Sequence, residues 1–290
     1  MGDRQEADYM SEKESSGQVP LEAKNPYALR VDLGKGISDS EIREALATGD
    51  MGFLHSFTTG STVDGPGIRL VAWTSGCQFR CLYCHNPDTW KMSNGIPVTI
   101  ARATEELGKY SSGLKIMGGG FTLSGGEPLM QDRFAVRLFS AAKKMGIHTA
   151  LDTNGSLGKR LSEADLENID LVLLDIKAWD PHLHRRLTGF DVAPVLEFAR
   201  HLADIKKPVW LRYVLVPGLT DNIEDISSIA AFAAKLGNVE RVDVLPFHQM
   251  GEFKWRELNL EYALEGLNPP ASEIIQKACE QFRASGLKTY

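Results

Sequence analysis

The chain has 290 residues, 43% of them hydrophobic and 24% charged, the make-up of a globular protein able to bury a full-sized core. Its 32 Lys and Arg against 38 Asp and Glu give a formal charge of -6, which argues against a basic surface for nucleic acid or anionic membrane and for a small molecule or another protein as partner. No run approaches the roughly 18 apolar residues of a membrane span, and the acidic start lacks an apolar signal core, so a cytoplasmic protein is expected.

Residues 1–50 are rich in Glu, Ser, Asp and Gly and read as an N-terminal extension of unknown role. One short helix is expected there, from Asp39 to Leu46, opened by a capping-box-like Ser38-x-x-Glu41. Residues 51–290 read as one catalytic domain. Strands are expected at 70–74, 120–123, 147–151, 171–174, 209–216 and 241–245, all β-branched and aliphatic, as strands covered on both faces tend to be. Helical segments fall near 100–110, 132–145, 162–168, 192–206, 222–236 and 272–284. Six strands alternating with helices predict an α/β fold, either a parallel βα barrel or an open doubly wound sheet.

The polar residues follow these strands in a regular way. Cysteines follow the first, Ser124-Gly125-Gly126-Glu127 the second, Asp152-Thr153-Asn154-Gly155 the third and Asp175-Ile176-Lys177 the fourth. Pro217-Gly218 and Pro246-Phe247-His248 follow the fifth and sixth. Each group thus lies at the carboxyl end of its strand, the edge where parallel architectures bind ligands. Polar βα loops are common in any protein, but five of them beside three thiols point to a site. Taken singly, Asp152 and Asp175 could be helix N-caps, Lys177 a solvated loop lysine and His248 a hydrogen-bonded core histidine.

Cys77, Cys81 and Cys84 form a C-x3-C-x2-C loop, close enough to serve one metal centre. A closed zinc site needs four protein ligands, usually two separated pairs, and no second pair exists. His85 adjoins Cys84, which makes joint tetrahedral ligation awkward, and the distant Cys279 reads as a small buried hydrophobe on a helix. Three thiolates on an iron-sulfur cubane would leave one iron open. Structural zinc and three unliganded core cysteines are the competing readings.

Around these cysteines the chain closely resembles the radical S-adenosylmethionine superfamily and, within it, the activating enzymes of glycyl radical enzymes. The resemblance runs from about Gly52 to the C-terminus. It rests on Ser61-Thr62-Val63-Asp64-Gly65-Pro66-Gly67-Ile68-Arg69, the run Cys77 to Asn86 with Pro87-Asp88-Thr89-Trp90, Ser124 to Glu127, Leu151 to Gly155, Leu174 to Lys177, Trp210 to Gly218, and Leu245 to His248. It implies a partial (β/α)6 barrel. It also implies that Cys77, Cys81 and Cys84 bind three irons of a 4Fe-4S cluster, with S-adenosylmethionine chelating the fourth.

By the same resemblance, the backbone of Tyr83, Cys84 and His85, the glycines Gly125 and Gly126 with Glu127, the run Asp175, Ile176 and Lys177, and His248 contact the cofactor. The two glycines would let backbone approach its amino group. Asp152, Thr153, Leu173 and Asp175 match a monovalent cation site, for sodium or potassium, with Leu173 standing where the family has Met. Asp64 and Arg212 match positions near the partner's glycine loop.

The expected activity is reductive cleavage of S-adenosylmethionine, the deoxyadenosyl radical then taking hydrogen from a partner glycine. The chain has no spare cysteines for the ferredoxin-like insertion of several other activases, and it is longer than the ribonucleotide reductase activase. Pyruvate formate-lyase is therefore the expected partner, with flavodoxin or ferredoxin as electron donor, and the matches at Trp210 to Pro217 and at Lys254-Trp255 favour it. The alternatives are a different glycyl radical enzyme, a small-molecule substrate, or a non-catalytic zinc protein.

Overall fold

A computed structural model describes residues 39–290. The expected N-terminal helix is present as α1 (Asp39–Thr48), while Ser38, and with it the capping-box reading, lies outside the described residues. Its end is tied to the body by Arg137, which donates to the Thr48 carbonyl at 3.2 Å and pairs with Asp50 at 2.7 Å.

The six expected strands all form. They are β2 (Arg69–Thr74), β4 (Gly120–Gly125), β5 (His148–Thr153), β6 (Leu171–Asp175), β7 (Val209–Leu215) and β8 (Val239–Pro246). They pair in that order, all parallel, so their carboxyl ends share one edge. Two further strands, β1 (Met51–Ser61) and β3 (Ile96–Thr99), extend the sheet beyond β2 as antiparallel members. Gly52, Gly60 and the Thr58-Thr59 pair in β1, and Pro97 in β3, break the aliphatic runs that identify the other strands. The sheet stays open, eight strands in the order β3-β1-β2-β4-β5-β6-β7-β8. This settles the expected architecture as an open, partial barrel.

Helices α2 (Ile100–Ile116), α3 (Asp132–Lys144), α6 (Ala193–Asp204), α7 (Ile223–Leu236) and α9 (Ser272–Ala284) cover the convex face. Leu123, Leu151, Leu174 and Leu211 from the strands meet Phe134, Leu138, Phe139, Leu202, Ile226 and Phe282 from the helices there. Each such side chain, fully buried, contributes roughly 1.5–3 kcal/mol. Because strand side chains alternate, the neighbouring positions line the concave face. Its apolar filling is small: Ala150, Leu171 and Leu173, with Trp210 packed against them. A closed eight-stranded barrel fills its interior with side chains. Here the carboxyl half of the concave face is left to polar groups.

Two short helices appear at that edge, α5 (Pro181–Thr188) after β6 and α8 (Glu252–Glu257) after β8; a single-turn helix, α4 (Glu163–Leu166), precedes β6. α5 starts at Asp180, whose carboxylate accepts the Leu183 amide at 2.7 Å, and stops at Gly189 in the left-handed region. At eight residues it is too short for hydrophobic periodicity to reveal. A separate cluster of Tyr83, Ala178, Leu187, Val216, Phe247 and Trp255 packs these loops and helices onto the cysteine segment.

Candidate active site at the carboxyl edge of the sheet

The cysteine loop leaves β2 at Thr74 and is held from three sides. Backbone N–H groups of Arg80 and Leu82 donate to Thr188 and Leu187 of α5, at 2.8 and 3.0 Å. The Gln78 side-chain amide donates to Asn154 and Ser156 beyond β5. The Trp255 indole N–H donates to the Cys84 carbonyl at 2.9 Å. All three thiols are free and partly buried, whereas Cys279 is a buried member of the convex core, as its helical setting suggested. Burial pushes each of the three thiols up, Cys81 to about 12.

Among the described residues, no three His, Cys, Asp or Glu side chains are arranged to hold a single ion. A closed zinc site requires four donors meeting at one point. A cubane gives each thiolate its own iron and needs no such convergence. His85 is not a fourth ligand in waiting: its Nε2 donates to the His248 carbonyl at 3.2 Å. The donor set therefore fits a three-cysteine cluster and not a closed zinc site.

Charged groups face the loop from the neighbouring strands. Asp152 is opposite Leu173, and Asp175 is opposite Arg212, in adjacent strand pairs. Arg212 reaches across β6 to Asp152 at 3.0 Å and stands 3.6 Å from Asp64. Asp152 also accepts from the Ser124 hydroxyl at 2.6 Å. Burial alone would lower the Arg212 pKa, but Asp152, Asp175 and Asp64 hold it above its ordinary value. Lys177 pairs with Asp175 at 2.8 Å, its ammonium lying over the Tyr83 ring, and it too is held above its ordinary value against burial. Asp152 and Asp175 are thus not helix caps, and Lys177 is no solvated lysine.

The Ser124 to Glu127 turn packs against the start of the cysteine loop. A Cβ on Gly125 would lie 2.1 Å from the Thr74 amide nitrogen, and one on Gly126 would lie 2.4 Å from the Gly76 carbonyl. Neighbouring backbone alone therefore excludes side chains at both positions. Glu127 is fully buried, and its carboxylate accepts from the Leu129 amide, the Thr153 hydroxyl and the Asn154 amide at 3.0, 2.7 and 2.8 Å. Its side chain ties the turn after β4 to the turn after β5. Desolvation raises its pKa to about 7 despite these bonds.

Opposite this turn, the His85 and His248 rings lie 4.2 Å apart at the wall of a cleft of about 420 Å3. The cleft is lined by β1 and β2 residues including Ser56, Thr58 and Trp73, and by Lys254. Lys254 donates to Asn86 at 2.8 Å and pairs with Asp88 at 3.0 Å; His55 meets the same Asp88 carboxylate at 3.0 Å. His55 carries no sequence signal, because it lies in β1, whose glycines and threonines break the aliphatic run. Nor did the sequence reveal Asp225, whose carboxylate accepts the Trp179 and Asp180 amides and fixes the chain after Lys177.

Arg212 Nε, Tyr83 Oη, His248 Nδ1 and Gln78 Oε1 are buried around the mouth with no hydrogen-bond partner among the described residues. Buried polar atoms rarely stay unpaired, so these four mark a place where a polar ligand completes the hydrogen bonding.

Comparison with known proteins agrees with this chemistry. Residues 71–232 match the Radical SAM superfamily. The chain is 41% identical to the pyruvate formate-lyase-activating enzyme of Listeria monocytogenes over 244 residues, 82% of this chain and 98% of that one. It is 44% identical to the enzyme of that name from Staphylococcus aureus over 234 residues, 78% of this chain and 93% of the relative. Among solved structures, a domain of pyruvate-formate lyase-activating enzyme from Bacteroides vulgatus superposes with a TM-score of 0.51 at 26% identity, over 60% of this chain and 98% of that one. A radical SAM methyltransferase from Sphaerobacter thermophilus shares the fold, with a TM-score of 0.56 at 15% identity over 93% of this chain and 79% of that one. No helix among the described residues is long and apolar enough to cross a membrane.

Proposed function

This chain belongs to the pyruvate formate-lyase-activating enzymes of the radical SAM superfamily, and from that premise we propose how the mouth of its open barrel acts on its protein substrate. The enzyme activates pyruvate formate-lyase. A 4Fe-4S cluster held by Cys77, Cys81 and Cys84 would, with S-adenosylmethionine, supply the radical chemistry that takes a hydrogen atom from a glycine α-carbon of the partner.

Cys77, Cys81 and Cys84 would hold three irons of the cluster, leaving one iron open to S-adenosylmethionine. Lys177, kept charged beside Asp175, balances the negative charge that three thiolates bring into a buried loop. Backbone at Tyr83, Cys84, His85, Gly125 and Gly126, together with Glu127, Asp175, Ile176, Lys177 and His248, forms the cofactor's surroundings. Within that set, Glu127 acts by fixing the Thr153 and Asn154 turn. A monovalent cation is assigned to Asp152, Thr153, Leu173 and Asp175, at the ends of the adjacent strands β5 and β6. Asp64 and Arg212 would receive the partner's glycine loop at the concave face. The packed cluster around Tyr83, Phe247 and Trp255 keeps water from the cysteine loop. A flavodoxin or ferredoxin in the cytoplasm supplies the electron, and residues 51–290 form the catalytic unit behind an N-terminal extension.

One observation supports this reading most strongly: three free, partly buried thiols at the carboxyl edge of a parallel sheet, beside four buried polar atoms with no partner among the described residues. The test is anaerobic. Reconstituted protein, a one-electron reductant, S-adenosylmethionine and pyruvate formate-lyase should give a glycyl radical signal in electron paramagnetic resonance. Zinc in place of iron would overturn the cluster. Cofactor cleavage with no radical on the protein partner would instead support a small-molecule substrate.

A further inference from the structure

Arg69 opens β2 from the last position of the Ser61 to Arg69 motif, and it is fully buried with no exposed surface. A buried guanidinium normally sits against a carboxylate. Among the described ion pairs of the fold Arg69 has none, and it is satisfied otherwise. Nε donates to the Thr122 hydroxyl at 2.9 Å. Nη1 donates to the Pro66 carbonyl and to His148 Nδ1, each at 3.2 Å. Nη2 donates to the carbonyls of Phe121 and His148 at 2.6 and 3.4 Å. All five N–H groups are used, which only the planar fork of arginine can do.

The space for that fork is shaped by glycine. A Cβ on Gly120, at the start of β4, would fall 2.1 Å from Nη1, and one on Gly65 would fall 3.0 Å from Nε. The bonds also form a chain with a direction. Arg69 Nε–H donates to Thr122 Oγ1, and the Thr122 hydroxyl in turn donates to the Asp64 carbonyl at 2.6 Å. Such linked bonds polarise one another. Arg69 thereby holds both Asp64 and Pro66, the two ends of a turn that carries the Asp64 side chain to within 3.6 Å of Arg212.

We propose that Arg69 is a positioning residue for the partner glycine: it anchors the Asp64 turn to β4 and β5 through Thr122, and so sets where the glycine loop is received. This rests on the reading of Asp64 as a partner contact. It concerns substrate placement alone, because Arg69 touches neither the cysteine loop nor the turns after β4 and β5. Burial pushes its pKa down to about 10, so the anchor is charged throughout the neutral range.

The test compares the number of glycyl radicals formed per 5′-deoxyadenosine released, in the reconstituted enzyme with pyruvate formate-lyase. Arg69→Lys retains a charge but cannot span the five acceptors. Thr122→Val breaks the relay while leaving the guanidinium in place. Both should keep the wild-type iron content and the partner-independent cleavage of S-adenosylmethionine. Both should lower the radical yield per cleavage by about 10- to 100-fold, the range expected for a misplacement on the order of 1 Å. Combining either with Asp64→Asn should add little to the loss caused by Asp64→Asn alone, because the two act through one turn. If iron, cleavage and radical yield fall in parallel, or if the losses add in full, Arg69 is a structural residue of the barrel and the proposal fails. If Asp64→Asn leaves the yield intact, the partner-contact reading fails first and takes the proposal with it.

Discussion

The two faces of the sheet solve opposite problems with the same strands. On the convex face, Leu123, Leu151, Leu174 and Leu211 meet helical Leu, Ile and Phe, and the contacts are interchangeable hydrophobic burial. On the concave face, the intervening positions carry Ser124, Asp152, Asp175 and Arg212, buried or half-buried charges and hydroxyls whose pairing adds little net stability although stranding one partner is costly. Folding is supported from one side and chemistry from the other. The alternation of a strand places the two on opposite faces, so a core substitution need not disturb the chemistry.

That division has measurable consequences, the largest at the cysteines. Cys81→Ala should reduce iron to background and abolish glycyl radical formation, while the circular dichroism of the fold persists through the convex core; retained iron and activity would contradict the cluster assignment. Next is Arg212→Met, which strands Asp152 and Asp64 without their cation and should cost about 3–5 kcal/mol in denaturant unfolding together with radical transfer. An unchanged unfolding midpoint would show that the triad is not coupled. On the other face, Leu138→Ala should cost roughly 2–5 kcal/mol while turnover per folded molecule stays at the wild-type value. A matching loss of turnover would break the separation of the faces.

The smallest effect concerns Glu127. Its carboxyl binds a proton more tightly in the folded chain, at about 7, than in the unfolded chain, where 4.5 is the ordinary value. The folded state therefore holds more protons between those values. This group's contribution is fully present below about pH 4.5 and is lost as pH rises through about 7. Urea midpoints across that window should show the slope in the wild type and a flatter one in Glu127→Gln. Equal slopes would mean that the three donors to the carboxylate outweigh its desolvation.

The same contrast explains what the sequence could reveal. The parallel strands were legible because both of their faces are covered, which leaves unbroken runs such as Leu171-Val172-Leu173-Leu174. The mouth was legible because its residues follow those strands in order. β1 was not, since it lies near the open side, where Gly60 and exposed threonines replace the aliphatic run, and His55 was lost with it. Asp225 was hidden for another reason: it lies in the first turn of α7, which Asn222 caps, and only the packing of α7 shows its carboxylate serving the chain after Lys177. Glu127 sits in the expected motif, but its burial and its three donors to Oε1 and Oε2 are properties of the fold alone.

The most direct measurement follows the hydrogen atom itself. Pyruvate formate-lyase carrying glycine deuterated at the α-carbon is activated anaerobically with this enzyme and one equivalent of S-adenosylmethionine, and the released 5′-deoxyadenosine is weighed by mass spectrometry. Transfer at the concave mouth requires one deuterium in the nucleoside for each glycyl radical formed. Unlabelled 5′-deoxyadenosine alongside a full radical signal would contradict direct abstraction from the partner glycine.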